Sequence, residues 1–307
     1  MKLVTTEDAQ LRCEHTLRPG APALLLLNPL GASLEIWDDP FPALCERYEV
    51  VRFDVRGHGE STTGSKTELT MEQLARDALA VLDACGIARA HLCGLSIGGM
   101  TAMQIATLWP DRVLKIALCS TSPYMAPPPD TWNARIEGVR KQGVAPLIDG
   151  ILQRWLTTPY RMAHPDQVER IRAMLLTVKP EGYAACAAAI RDMDQRQSIK
   201  TITAKTLVVG GTQDPGTTPA DHAGDVIGDM NSRRGRIVGM EPAGETAAVR
   251  AVVPMSEILT YESSLRSMTG GRGGYSMEFS HYEEVPSFLA DKVIKEAKSE
   301  REKAEKH

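Results

Sequence analysis

The 307-residue sequence has no CxxC pair, no apolar run long enough to cross a bilayer, and no large excess of either charge. Its six cysteines (Cys13, Cys45, Cys85, Cys93, Cys119 and Cys186) are scattered and mostly lie within apolar runs, so buried reduced thiols are their plainest reading. The longest apolar run, APALLLLNPLGA, is interrupted by Pro29 and is too short for a membrane span. The opening MKLVTTEDAQ has a basic residue but no apolar stretch behind it, which argues against a secretory leader and for the cytoplasm. A net charge of -4 leaves no electrostatic footprint for nucleic acid and favours a small-molecule function. What remains is 43% hydrophobic and 24% charged, ample for the core of one large domain or two smaller ones.

Between residues 20 and 120, short apolar runs alternate with helical patterns. ALLLLN (23–28), EVVRFD (49–54), AHLCGLS (90–96) and VLKIALCS (113–120) have the continuous apolarity of strands buried on both faces of a parallel sheet. TMEQLARDALAVLDACG places Met71, Leu74, Ala78, Leu82 and Cys85 on one helical face, with Thr70 and Gln73 spaced as a capping box and Gly86 just past the end. This alternation predicts an α/β fold with right-handed crossovers. SPYMAPPPD (122–130) breaks the rhythm, and 131–198 then reads as helices only, a cap over an active site. AKTLVVGG (204–211) returns once to the sheet pattern. From Gly224 the order becomes helix, strand, strand, helix, strand, which suggests an α+β unit with an antiparallel sheet. The tail KEAKSEREKAEKH reads as a solvated charged helix or frayed end.

GLSIGG places Ser96 in a G-x-S-x-G elbow between a predicted strand and a predicted helix. The turn needs small neighbours so that the hydroxyl stands free, and the helix that follows aims its N-terminal amides at developing negative charge. The Ile97 amide is thus one expected oxyanion donor, and the NPLGA loop offers Leu30 as the second. In FDVRGHGES, His58 is a tempting base; the alternative is a glycine-rich turn packed beside the nucleophile loop, with Asp54 and Arg56 pairing locally. A serine elbow then needs an acid and a histidine later in the chain. VVGGTQDPGTTP supplies Asp214 just beyond a buried strand, the alternative being an Asx-turn before Pro215. His281, on a strand–His–helix pattern in YSMEFSHYEEVPSF, is the best available base; His222 is too near Asp214, and His91 reads as structural.

The segments LNPLGASLEIWDDPFPAL, VVRFDVRGHGEST, HLCGLSIGGM, TWNARIEGVR, RAMLLTVKPEGYAACAAAIRDMD and LVVGGTQDPGTTP together resemble the 3-oxoadipate enol-lactone hydrolases of the α/β-hydrolase superfamily. The resemblance covers about 1–223. It implies a parallel-sheet core with a helical cap, opening of a small carboxylated enol-lactone in the β-ketoadipate pathway, and no metal or cofactor. It also implies that Trp132 and Arg135 of the cap face the substrate, where an arginine suits a carboxylate through a bidentate contact; ordinary cap packing is the alternative for both. The mechanism it implies is attack by Ser96, proton transfer to His281, and amides of Ile97 and Leu30 on the oxyanion.

After about Ala223 the pattern changes. GDVIGDMNSRRGRIVGMEP through SHYEEVP resembles the C-terminal domain of bacterial elongation factor G, a ferredoxin-like unit that lacks its first strand here. The hydrolase correspondingly lacks its last strand and helix, so the chain reads as a join of two families near residue 223. The expected divisions are 1–121 core, 122–200 cap, 201–223 end of the core with the acid loop, and 224–307 the factor-like segment. No G-x-x-x-x-G-K-[ST] loop occurs, so GTPase activity is excluded, and a ribosome or nucleic-acid contact stays open only through the last segment. The span from Asp214 to His281 is roughly twice what the hydrolase family needs, which leaves a catalytically impaired fusion, or another esterase or haloperoxidase-like hydrolase, as the alternatives.

Overall fold

Two short strands open the chain, β1 (Lys2–Thr5) and β2 (Gln10–Thr16), paired antiparallel from Lys2–Cys13 to Thr5–Gln10. The structure is a computed structural model that describes residues 1–125, 129–211, 213–214, 236–243 and 246–258, with Tyr261, Leu265, Tyr275 and Met277 as single positions beyond them. The hairpin has charged and polar residues at alternate positions and no apolar run, which is why the sequence pattern passes over it.

β3 (Ala23–Leu27), β4 (Glu49–Phe53), β5 (Ala90–Leu95), β6 (Val113–Cys119) and β7 (Lys205–Val209) follow the apolar runs of the sequence. They form one seven-stranded sheet in the order β1-β2-β4-β3-β5-β6-β7, with every pair from β4 to β7 parallel. β3 is buried at all five positions because a layer lies on each of its faces. Of the helices, α1 (Phe41–Cys45) precedes β4, α2 (Met71–Ala84) lies between β4 and β5, and α3 (Ile97–Leu108) between β5 and β6. The Thr70 hydroxyl accepts the Gln73 N–H (3.2 Å) at the start of α2, and Gly86 takes φ +73° just past its end, as the sequence pattern requires.

Between β6 and β7 comes the helical insertion: α4 (Pro129–Gln142), α5 (Ile148–Trp155), α6 (Thr158–Ala163), α7 (Pro165–Leu176) and α8 (Pro180–Asp192). Residues 182–190 of α8 are all buried, and apart from Tyr183 and Ile190 their small side chains let the helix approach the core closely. A Cβ on Gly57 would sit 2.4 Å from the Gly182 Cα, so the cap and the RGHG turn meet backbone to backbone. Further along, β8 (Arg236–Ala243) and β9 (Thr246–Val252) form an antiparallel hairpin followed by α9 (Met255–Ile258). The chain divides into two compact units, 1–274 and 275–307. The helix expected over 224–234 and the strand expected at 275–281 lie wholly or mostly outside the described residues. Among the described residues no helix is long and apolar enough to cross a membrane.

Candidate active site

Ser96 sits between the end of β5 and the first turn of α3 with φ 56° and ψ -120°, a backbone conformation L-residues rarely adopt. The elbow is possible because glycines flank it: a Cβ on Gly94 would lie 2.3 Å from the Gly98 oxygen, and one on Gly98 would lie 2.1 Å from the Leu27 oxygen. Two bonds hold the turn, from the Ser96 N–H to the Cys119 carbonyl (2.9 Å) and from the Thr121 hydroxyl to the Ser96 carbonyl (2.7 Å). The side chain itself is spared: among the described residues the Ser96 hydroxyl has no hydrogen-bond partner.

Ile97 opens α3, and its side chain is buried. Leu30 lies in the loop after β3, next to Gly31 at φ +94°. Three buried side chains pin that loop. Asn28 donates to the Phe53 carbonyl (2.9 Å) and accepts from the Trp37 indole (2.7 Å). Asp54 accepts the Leu34 N–H (2.6 Å), and His58 accepts the Gly31 N–H at Nε2 (3.0 Å). The other His58 nitrogen, Nδ1, faces the Arg56 carbonyl (2.8 Å), and burial pushes the imidazole pKa down to about 4. With both nitrogens engaged, His58 has no lone pair left for a serine proton, and the glycine-rich-turn reading is the one the geometry follows.

The local Asp54–Arg56 pair expected from the sequence does not form. Arg56 turns instead to Asp77 of α2 (Nη2 to Oδ1 2.8 Å) and to Asp8 before β2, while Asp54 faces Arg12 (3.3 Å) and the Leu34 and Glu60 amides. Residues 54 and 56 lead into a turn with Gly57 and Gly59 at positive φ, and their side chains reach different partners.

The cap brings cations to the same end of the sheet. Trp132 and Arg135 are both on α4; Trp132 is buried and Arg135 half-buried. The Arg135 guanidinium donates to the Tyr183 hydroxyl and lies 5.5 Å from the Trp132 ring centre and 5.4 Å from that of Tyr183. Arg154 of α5 joins them: burial and then the charge of Arg135 hold its pKa below the ordinary arginine value. Among the described residues the buried Trp132 Nε1 and Arg135 Nε have no acceptor. Among the described residues neither guanidinium has a carboxylate partner, a donor set whose chemistry suits an anion. Tyr183 connects this cluster to the serine end of the sheet, since a Cβ on Gly31 would stand 3.6 Å from the Tyr183 ring. Tyr183 and Arg154 are not singled out by the sequence: Tyr183 lies in a segment that carries the family resemblance and Arg154 in none, and only the packing of the cap helices places them beside Arg135.

Asp214 follows β7, half-buried, with its N–H on the Gly211 carbonyl (3.2 Å). The end of β7 is tied to the end of β6 by the Ser120 N–H on the Val209 carbonyl (2.8 Å), so the acid loop leaves the same end of the sheet as Ser96, two strands away. Ligand sites of open parallel sheets lie at these carboxyl ends. His91 packs edge-on against Tyr48 (5.7 Å between ring centres). His222 and His281 lie outside the described residues. No group of three metal-ligating side chains occurs among the described residues.

Residues 22–241 match the family described as alpha/beta hydrolase fold, and residues 217–293 match the family described as elongation factor G C-terminus. The chain is 33% identical over 218 residues to 3-oxoadipate enol-lactonase 2 of Acinetobacter baylyi, covering 71% of this chain and 81% of that relative. Its fold matches the crystal structure of the enol-lactonase from Burkholderia xenovorans with a TM-score of 0.71 and 33% identity, over 74% of this chain and 87% of that one. A thermophilic esterase from Thermogutta terrifontis, solved with malate bound, matches at a TM-score of 0.66 and 28% identity, over 72% and 83% of the two chains.

Proposed function

The chain belongs to the α/β-hydrolase family and, within it, to the 3-oxoadipate enol-lactonase group of lactone- and ester-hydrolysing enzymes; from that premise we propose that it opens a small carboxylated enol-lactone through an acyl-enzyme on Ser96. The observation that carries the reading is the strained Ser96 elbow, its hydroxyl without a partner among the described residues, at the sheet end where the cap's arginines also gather. Ser96 attacks the lactone carbonyl, and the amides of Ile97 and Leu30 hold the oxyanion. His281, oriented by Asp214, takes the serine proton and returns it as the ring opens. The ring C–O bond breaks, the enolate stays tethered to the acyl chain and takes up the returned proton to become the ketone, and water then cleaves the acyl-enzyme to release a single ring-opened acid. Arg135, with Arg154, Tyr183 and Trp132 around it, takes the substrate carboxylate, and ordinary dicarboxylate chemistry of this kind fits the malate carried by the esterase relative. No cofactor enters any step.

The test is turnover of an enol-lactone and of p-nitrophenyl acetate by the full chain, by Ser96→Ala and by His281→Ala. Loss on the order of 10⁴-fold or more in both variants supports the triad. Activity no higher than that of Ser96→Ala in the unmodified chain overturns it. A second reading is favoured by the match of residues 217–293 to the elongation-factor segment, which contains both His222 and His281. In that reading the join has displaced the base, and the last segment serves as a ribosomal-factor-type interaction module. Ser96→Ala losing activity while His281→Ala does not moves the base elsewhere in the chain. Ribosome co-sedimentation that depends on residues 224–307 supports the interaction module.

A further inference from the structure

The loop that carries Leu30 is held by Asn28, Asp54 and His58, but only His58 touches the peptide unit directly after Leu30. Its geometry fixes its chemistry. An amide N–H can only donate, so the Gly31 N–H must point at an unprotonated Nε2 (3.0 Å). A carbonyl can only accept, so Nδ1 must carry the proton that faces the Arg56 oxygen (2.8 Å). The ring is therefore neutral and held in one tautomer, bridging the RGHG turn and the oxyanion loop from a fully buried position.

We infer that His58 is a positioning residue for ester cleavage, acting through the Gly31 N–H to fix the oxyanion loop so that the Leu30 amide faces the reacting carbonyl. The bond to Nε2 sets the rotation of the Leu30–Gly31 peptide plane, and with it the φ of +94° at Gly31. Without an acceptor at that point the plane is free to turn over, which would bring the Leu30 carbonyl round in place of the Gly31 N–H and set the preceding amide askew. An oxyanion donor displaced by even a fraction of an ångström stabilises the transition state less, while substrate held by the cap is little affected. The side chain's neutrality belongs to the same design, since burial drives its pKa to about 4 and a protonated ring would offer Gly31 a donor instead of an acceptor.

The inference rests on the hydrolase reading above, and its test separates the two. Kinetics with p-nitrophenyl acetate and an enol-lactone are compared for the full chain and for His58→Leu, His58→Asn and His58→Gln, with thermal midpoints measured alongside. Gln can place Oε1 where Nε2 stands; Asn reaches only the Nδ1 position and keeps the Arg56 contact alone. His58→Leu and His58→Asn are expected to lose kcat by on the order of 10- to 100-fold with KM within about twofold, and His58→Gln to recover most of it. Binding of phenylethylboronic acid, which forms a tetrahedral adduct with a nucleophilic serine, should weaken in parallel with kcat. If His58→Leu does not fold, the Asn–Gln contrast still decides. Equal kcat in Asn and Gln variants, or a change confined to KM, overturns the role. An unmodified chain no more active than Ser96→Ala overturns the hydrolase reading and takes this role with it.

Discussion

At the scale of single residues, the elbow was readable because its constraints are local. Gly94, Ser96 and Gly98 must be close in sequence for the turn to form, and the flanking strand and helix have their own periodic signals. The consequence is sharp at Gly98, where a methyl group would meet the Leu27 carbonyl at 2.1 Å, backbone against backbone. Gly98→Ala is expected to destabilise the fold by about 2 kcal/mol or more, since neither partner is a side chain that can move aside. A guanidinium-chloride midpoint checks it. His58 is the opposite case: the sequence presents it beside a plausible base motif, and only the distance to Gly31 reveals what it does. Its folded pKa of about 4 lies below the ordinary 6.5, so the unfolded chain binds the proton first as pH falls. Stability from this group is full above about pH 6.5 and drains away as pH drops to about 4, by roughly 3 kcal/mol. Urea unfolding between pH 4 and 7 should show that slope, and the His58→Gln variant, which cannot titrate, should lack this share of it.

At the scale of elements, the parallel strands were legible because each carries a short apolar run, unbroken in β3 where both faces are buried and still present in β7, which is largely exposed, and α2 was legible through its cap and its stripe. The β1–β2 hairpin was not, because an edge hairpin with charged residues at alternate positions carries no such run. Nor was the ion network that joins three segments distant in sequence. Arg56, 1% exposed, lies between Asp77 on α2 and Asp8 at the β1–β2 turn, and thus ties the RGHG turn to a helix and to the hairpin. Two carboxylates on one buried guanidinium form a unit whose value appears when one member is removed. Asp77→Ala leaves the buried cation with Asp8 alone and is expected to cost about 3–5 kcal/mol. Asp8→Ala should cost less, because Asp8 is the more exposed partner and water can replace it. Chemical denaturation of the two variants gives the order, and a larger loss for Asp8→Ala would show that the hairpin, not the helix, carries the tie.

At the scale of the whole molecule, the sequence raised a question of edges, with a hydrolase short of its last strand running into a segment from another family. The sheet bears on it directly. Among the described residues β7 is an edge strand of the seven-stranded sheet, and its Leu207 and Val209 are each 46% exposed, whereas β3 is buried throughout. Two large apolar side chains on one face of an edge strand are a template for another strand or another chain. The prediction concerns what occupies that edge in solution. If nothing in the chain does, Leu207→Lys should slow thermal aggregation followed by light scattering while shifting unfolding free energy by no more than about 0.5 kcal/mol, as for an exposed site. A lowered melting temperature with aggregation unchanged or worse would show that the edge is covered and not open.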